Sequence, residues 1–96
     1  MYSNVRRYTG IDPGTLQEVE RRRADIEAIF ETVPGFVGYL LFKTGDGIAS
    51  VTVCEDRAGA EESNRLVAEW IRGQMPTFLP TPPEIFAGDV VVYKTA

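Results

Sequence analysis

Residues 34–54 read Pro34-Gly35-Phe36-Val37-Gly38-Tyr39-Leu40-Leu41-Phe42-Lys43-Thr44-Gly45-Asp46-Gly47-Ile48-Ala49-Ser50-Val51-Thr52-Val53-Cys54. Pro34-Gly35 ends whatever element precedes it. Phe36 to Lys43 is rich in aromatic and branched residues, as a strand is. Thr44-Gly45-Asp46-Gly47 is a hairpin signal, with two glycines able to take positive φ. Ile48 to Cys54 then pairs back on the first strand. Phe36, Leu40 and Phe42 point to one side of this hairpin, and Val37, Tyr39 and Leu41 to the other. An antiparallel sheet with one wet face alternates apolar and polar residues. Here both faces are apolar, so both must be covered.

Upstream, Leu16, Val19, Ile26, Ile29, Phe30 and Val33 recur at the spacing of one buried helical stripe. Asp12 is a candidate N-cap with Pro13 at the first helical position; Thr15 with Glu18 forms an alternative capping box. The helix is expected to run to about Thr32. Before it lies a short strand, Asn4 to Thr9. Downstream, Asp56 caps a second helix that ends near Gly73 to Met75, with Glu61 and Glu62 near its positive end. Pro76 to Pro83 holds four prolines and is neither helix nor central strand. A last strand spans roughly Glu84 to Lys94, where Val90 and Val92 oppose Val91 and Tyr93.

The order is βαββαβ, the split βαβ arrangement. It predicts one α+β, ferredoxin-like domain over residues 1–96, with a four-stranded antiparallel sheet. Two helices cover one face. The other face would be an exposed apolar patch, and such patches mark interfaces. A second copy of the chain is the simplest cover and would make a homodimer. The alternative is that the C-terminal loop folds over that face.

Composition narrows the function. The 96 residues carry a formal net charge of −4, which argues against a nucleic-acid partner. The basic run Arg21-Arg22-Arg23 sits among Glu18, Glu20, Asp25 and Glu27 and reads as a solvated helix face. Cys54 is the single cysteine. It excludes an intrachain disulfide and fits a reducing compartment. The absence of histidine weakens a zinc site, a histidine-based triad and a histidine-ligated haem. No apolar run approaches the ~20 residues needed to cross a membrane, and the N-terminus has no signal-peptide pattern. The expectation is a cytoplasmic protein with no membrane association, metal or cofactor.

Pro34-Gly35-Phe36-Val37-Gly38-Tyr39 resembles the entry into the second strand of dimeric α+β-barrel proteins. Glu55-Asp56-Arg57 at the second helix, Asn64 and Trp70 within it, and Gly88-Asp89-Val90-Val91-Val92 fit the same pattern. The resemblance covers nearly the whole chain, and its motifs are turns and strand edges. It is to the antibiotic-biosynthesis-monooxygenase-like superfamily. That superfamily includes cofactor-free monooxygenases of phenolic substrates, haem-degrading monooxygenases, muconolactone-type isomerases and stress-responsive barrels. The resemblance implies a homodimeric α+β barrel with one pocket per subunit between sheet and helices. Asn4 and Trp70 match the haem-degrading branch, but the axial histidine of that branch is missing.

Four residues are candidates for ligand binding: Asn64, Trp70, Arg7 and Tyr39. Helical geometry puts Asn64 near the centre of the stripe Ala60, Val67, Ile71 and Met75. There it either binds a substrate carbonyl or hydroxyl, as the resemblance implies, or is a core Asn bonded to backbone. Trp70, at the flank, either walls an aromatic pocket or packs under the proline-rich loop. Arg6 and Arg7 are adjacent on a central strand and must point to opposite faces. One of them is an anion clamp, or else forms a salt bridge or snorkels to the strand end. Tyr8, Tyr39 and Tyr93 can donate to a ligand or sit in the core. Cys54 reads as inert and buried. Two functions lead, a module that binds a small apolar or aromatic molecule first and a cofactor-independent monooxygenase of a phenolic or quinol substrate second; a purely structural or stress-response role is a third. In the second, the substrate's own carbanion would reduce oxygen and the protein would supply desolvation and hydrogen bonds.

Overall fold

The computed structural model describes residues 1–76 and 82–96. Its elements are β1 (Tyr2–Thr9), α1 (Pro13–Arg21), α2 (Arg23–Ile29), a 3₁₀ turn (Phe30–Thr32), β2 (Phe36–Lys43), β3 (Gly47–Cys54), α3 (Arg57–Gln74) and β4 (Glu84–Asp89). The sheet order is β2-β3-β1-β4, with every pair antiparallel. This is the expected ferredoxin-like α+β fold, with β1 and β3 central. The expected loop from Pro76 to Pro83 falls largely outside the described residues.

The helix starts are as the sequence dictates. Asp12 caps α1 by accepting from the Thr15 backbone N–H at 2.8 Å, and Asp56 caps α3 by accepting from that of Gly59 at 3.0 Å. Each cap satisfies one of the orphan donors at a helix start. The first helix is not continuous. At Arg22 the backbone leaves helical geometry, with φ −94° and ψ 20°. Val19 and Ile26, on either side of this break, are both buried beside Phe30, Val67 and Ile71.

The structure corrects three details of the strands. Phe36 does not share a face with Leu40 and Phe42. A bulge between Phe36 and Gly38 inserts one residue, which turns Phe36 to the helix side. There its ring stacks on Phe30 with centroids 5.3 Å apart. In the hairpin, neither Gly45 nor Gly47 has positive φ. Gly47 is needed instead for room, since a Cβ there would lie 1.9 Å from the Tyr8 carbonyl oxygen. Finally, β4 ends at Asp89 rather than Lys94. The Val90 amide still donates to the Met1 carbonyl at 2.9 Å. β1 begins at Tyr2 and offers no further partner, so Val91, Val92 and Tyr93 run on exposed.

Candidate functional site

Antiparallel register sorts the sheet into rows, because directly opposed residues share a face. On the face under the helices, one row is Tyr39, Thr52, Asn4 and Ala87. The next is Leu41, Ser50, Arg6 and Ile85. The centre of this covered face is therefore polar. Asn4, Ser50 and Thr52 are each only 1% exposed, and Arg6 3%. On the opposite face the corresponding row is Leu40, Val51, Val5 and Phe86.

Of the two adjacent arginines, Arg6 faces the helices and Arg7 does not. The ligand role expected for Arg7 would have to be exercised from the outer face. There Arg7 pairs with Asp46 and Glu84, each at 3.0 Å, and its side chain is 43% exposed. Strand parity put the two arginines on opposite sides. The register with β3, which sequence does not reveal, decided which side is which.

Arg6 is buried, and among the described residues no carboxylate pairs with it. Its Nε donates to the Tyr8 hydroxyl at 3.2 Å and its Nη1 to Asn64 Oδ1 at 2.7 Å. Asn64 is thus bonded to a side chain on the sheet rather than to backbone. It lies at the flank of the buried face of α3, half-buried. The centre of that face is held by Gly59, Ala60, Ser63, Val67 and Ile71. Asn4 clamps the same helix, its Nδ2 donating to the Ala60 carbonyl at 3.1 Å and to Ser63 Oγ at 3.4 Å. Among the described residues, Asn4 Oδ1 and Thr52 Oγ1 find no donor or acceptor.

A cavity of about 30 Å³ lies between the sheet and α2 and α3. Arg6, Tyr39, Ser50, Trp70 and Met75 are among its lining residues. Its walls are mostly apolar, its polar groups few and convergent, as small-molecule sites are. The volume is about that of one water, so a larger occupant requires the outer wall to move. Of the lining, Met75 is buried and Trp70 reaches solvent in part, which makes Trp70 the residue to move. Trp70 is half-buried, and the Arg22 guanidinium stands 5.9 Å from its ring centroid. Such a contact is worth about 0.5–1 kcal/mol at an exposed site. Arg22 also donates to Glu18 at 2.9 Å and to Gln74 at 3.2 Å.

Tyr39 joins the cavity from β2, its ring 4.1 Å from that of Phe30. Burial pushes its phenol above the ordinary value of 10.0, against the opposing pull of the Arg6 charge. It is therefore a neutral hydroxyl at physiological pH. Cys54 is fully buried, and burial raises its thiol. A protonated, enclosed thiol is a poor nucleophile. Tyr93 lies on the exposed C-terminal run, away from the cavity lining. The four expected site residues thus divide: Tyr39 and Trp70 line the cavity, Asn64 is tied to it through Arg6, and Arg7 is on the other face. Of the two arginines between which the sequence could not choose, Arg6 is the one that lines the cavity.

The fold matches that of known structures. MhuD with an Arg-to-Ser substitution, bound to two manganese protoporphyrin IX molecules per active site, superposes with a TM-score of 0.72 at 21% identity over 100% of both chains. A Bordetella bronchiseptica protein provisionally named an antibiotic biosynthesis monooxygenase gives 0.73 at 15% identity, covering 95% of this chain and 97% of that one. The Streptomyces coelicolor monooxygenase from the gene ActVA-Orf6, in complex with nanaomycin D, gives 0.66 at 18% identity, covering 99% and 90%. The chain has the antibiotic-biosynthesis-monooxygenase-like fold. No family model matches its sequence, and no curated protein sequence does. No helix among the described residues is long and apolar enough to cross a membrane.

Proposed function

We propose that the protein is a cytoplasmic homodimeric α+β barrel whose subunits each bind one small apolar or aromatic molecule between sheet and helices. The observation that carries this reading is the cavity walled by Tyr39 and Trp70, with polar groups of Arg6, Tyr8 and Ser50 converging on it. Two aromatic walls in an otherwise mostly apolar lining suit a flat ring. The open face supports the dimer. Leu40, Val51, Val5 and Phe86 form an apolar row across all four strands, and a second copy would bury it.

Trp70 is the only tryptophan and forms part of the wall that must move. Its emission therefore reports entry. Titration with 1-naphthol is expected to change Trp70 emission saturably, and equilibrium dialysis to return one molecule per subunit. A linear, non-saturating response with no retained ligand would defeat the reading.

A second reading is a cofactor-independent monooxygenase of a phenolic or quinol substrate. It is favoured by the 2.7 Å link between Arg6 and Asn64 beside Trp70, which can hold a substrate oxygen in a site shielded from water. Oxygen uptake on a panel of hydroquinones, abolished in Asn64→Ala, is its signature. No uptake by wild type, or full activity in the variant, removes Asn64 from that role.

A further inference from the structure

We propose that the pocket selects an aromatic monoanion, a ring bearing a carboxylate or an ionised hydroxyl, and that Arg6 is the residue that selects it. This rests on the pocket reading above and narrows it. The argument starts from an imbalance of charge. A guanidinium is always protonated and carries five N–H donors. Arg6 places two of them on neutral oxygens, those of Tyr8 and Asn64. Among the described residues no carboxylate forms an ion pair with it, and no other acceptor takes its remaining donors. Arg7, one residue along and exposed, has two carboxylates. The acids of this acidic chain therefore gather around the arginine that needs them least.

Burying an ion without its counter-charge is costly. Among the described residues, nothing that lines the cavity supplies negative charge. The phenol of Tyr39 is held neutral by burial, and the rest of the lining is hydroxyl or apolar. A ligand oxyanion would provide the missing charge. The planar fork of the guanidinium suits it, because two parallel N–H donors can meet one carboxylate or one phenolate oxygen. Asn64 holds the fork in place from α3, which makes Asn64 a positioning residue. The aromatic walls define the remainder of the ligand as a flat apolar body. A neutral ring of the same shape would gain the apolar contacts and leave the guanidinium unpaired.

The test compares two probes of nearly equal shape, 2,4-dinitrophenolate and its neutral methyl ether 2,4-dinitroanisole, by equilibrium dialysis at neutral pH. Wild type is expected to bind the anion at least tenfold more tightly, which is about 1.4 kcal/mol. Arg6→Met should lose that preference while keeping the ether, and Arg7→Met should keep it. Circular dichroism establishes that each variant is folded. A second measurement needs only wild type. Bound 4-nitrophenol should ionise at lower pH than free 4-nitrophenol, seen in the visible nitrophenolate band. Equal binding of both probes by wild type overturns the proposal and leaves the pocket reading standing. Binding of neither probe overturns both. A preference that survives in Arg6→Met, or an ionisation unshifted or raised on binding, also overturns it.

Discussion

The face of the sheet under the helices carries Asn4, Arg6, Ser50 and Thr52. The face without helices carries Val5, Leu40, Val51 and Phe86. The first set is almost wholly buried; Leu40 and Phe86 are 54% and 57% exposed. A domain folding alone would gain by the reverse arrangement, since apolar burial stabilises and polar burial costs unless satisfied. Each face is nevertheless intelligible by itself. Of the covered polar strip, Arg6 and Ser50 line the cavity and Asn4 clamps α3. The open apolar row is half of the interface in the proposed dimer. On the proposed reading, stability and function are divided between the faces, with the apolar layer from α1 to α3 holding the covered side together.

The comparison can be broken at several points. The largest effect should come from the layer that makes the covered face a core. Phe30 is 3% exposed and touches both Phe36 and Tyr39. Phe30→Ala is expected to cost about 3–5 kcal/mol in urea unfolding, as deleting a buried aromatic does. A loss below about 1 kcal/mol would mean that this side is not the core. Next is the open face. Leu40→Glu with Phe86→Glu should weaken self-association at least a hundredfold, about 2.7 kcal/mol, and leave the monomer's secondary structure intact. An unchanged association constant would sever the link between the apolar row and the dimer.

Smaller effects sharpen the picture of the covered face. Burial raises both the Cys54 thiol, from an ordinary value of 9.0, and the Tyr39 phenol, from 10.0. Both groups are neutral in the folded chain and ionise more readily once unfolded. Their contribution is complete below about pH 9 and fades as pH rises through and beyond it. Urea midpoints between pH 7 and 11 should be flat and then fall. The fall should begin later in Cys54→Ser, whose hydroxyl does not titrate there. The smallest effect concerns Thr52 Oγ1, buried without a partner among the described residues. Thr52→Val keeps the shape and removes the hydroxyl, and is expected to stabilise by up to about 1 kcal/mol. A clear loss of stability would show that the hydroxyl is satisfied.

How far the sequence could be read depends on which signals are local. Asp12, Asp56, Pro34-Gly35 and the hairpin turn act within three or four residues, so the element order and the fold followed from them. The Phe36–Gly38 bulge depends on the partner strand and could not be read from β2. The end of β4 depends on where β1 runs out. Arg6 and Arg7 were indistinguishable because each face of β1 mixes polar and apolar side chains: Asn4 and Tyr8 share a face with Arg6, Ser3 and Val5 with Arg7. On α3, small residues blurred the helical phase. Gly59, Ala60 and Ser63 form the close contact with the sheet, and a reading keyed to large apolar residues shifted the centre by one residue to Asn64. The candidate site was therefore legible as a place, between sheet and helices, and only partly as a set of residues.

The division between the two faces stands or falls on whether the open one is covered by a second copy. Sedimentation velocity of the wild-type chain at micromolar concentration measures this directly. The account predicts a single species at twice the chain mass of 10.7 kDa. A single species at 10.7 kDa across that concentration range would contradict it.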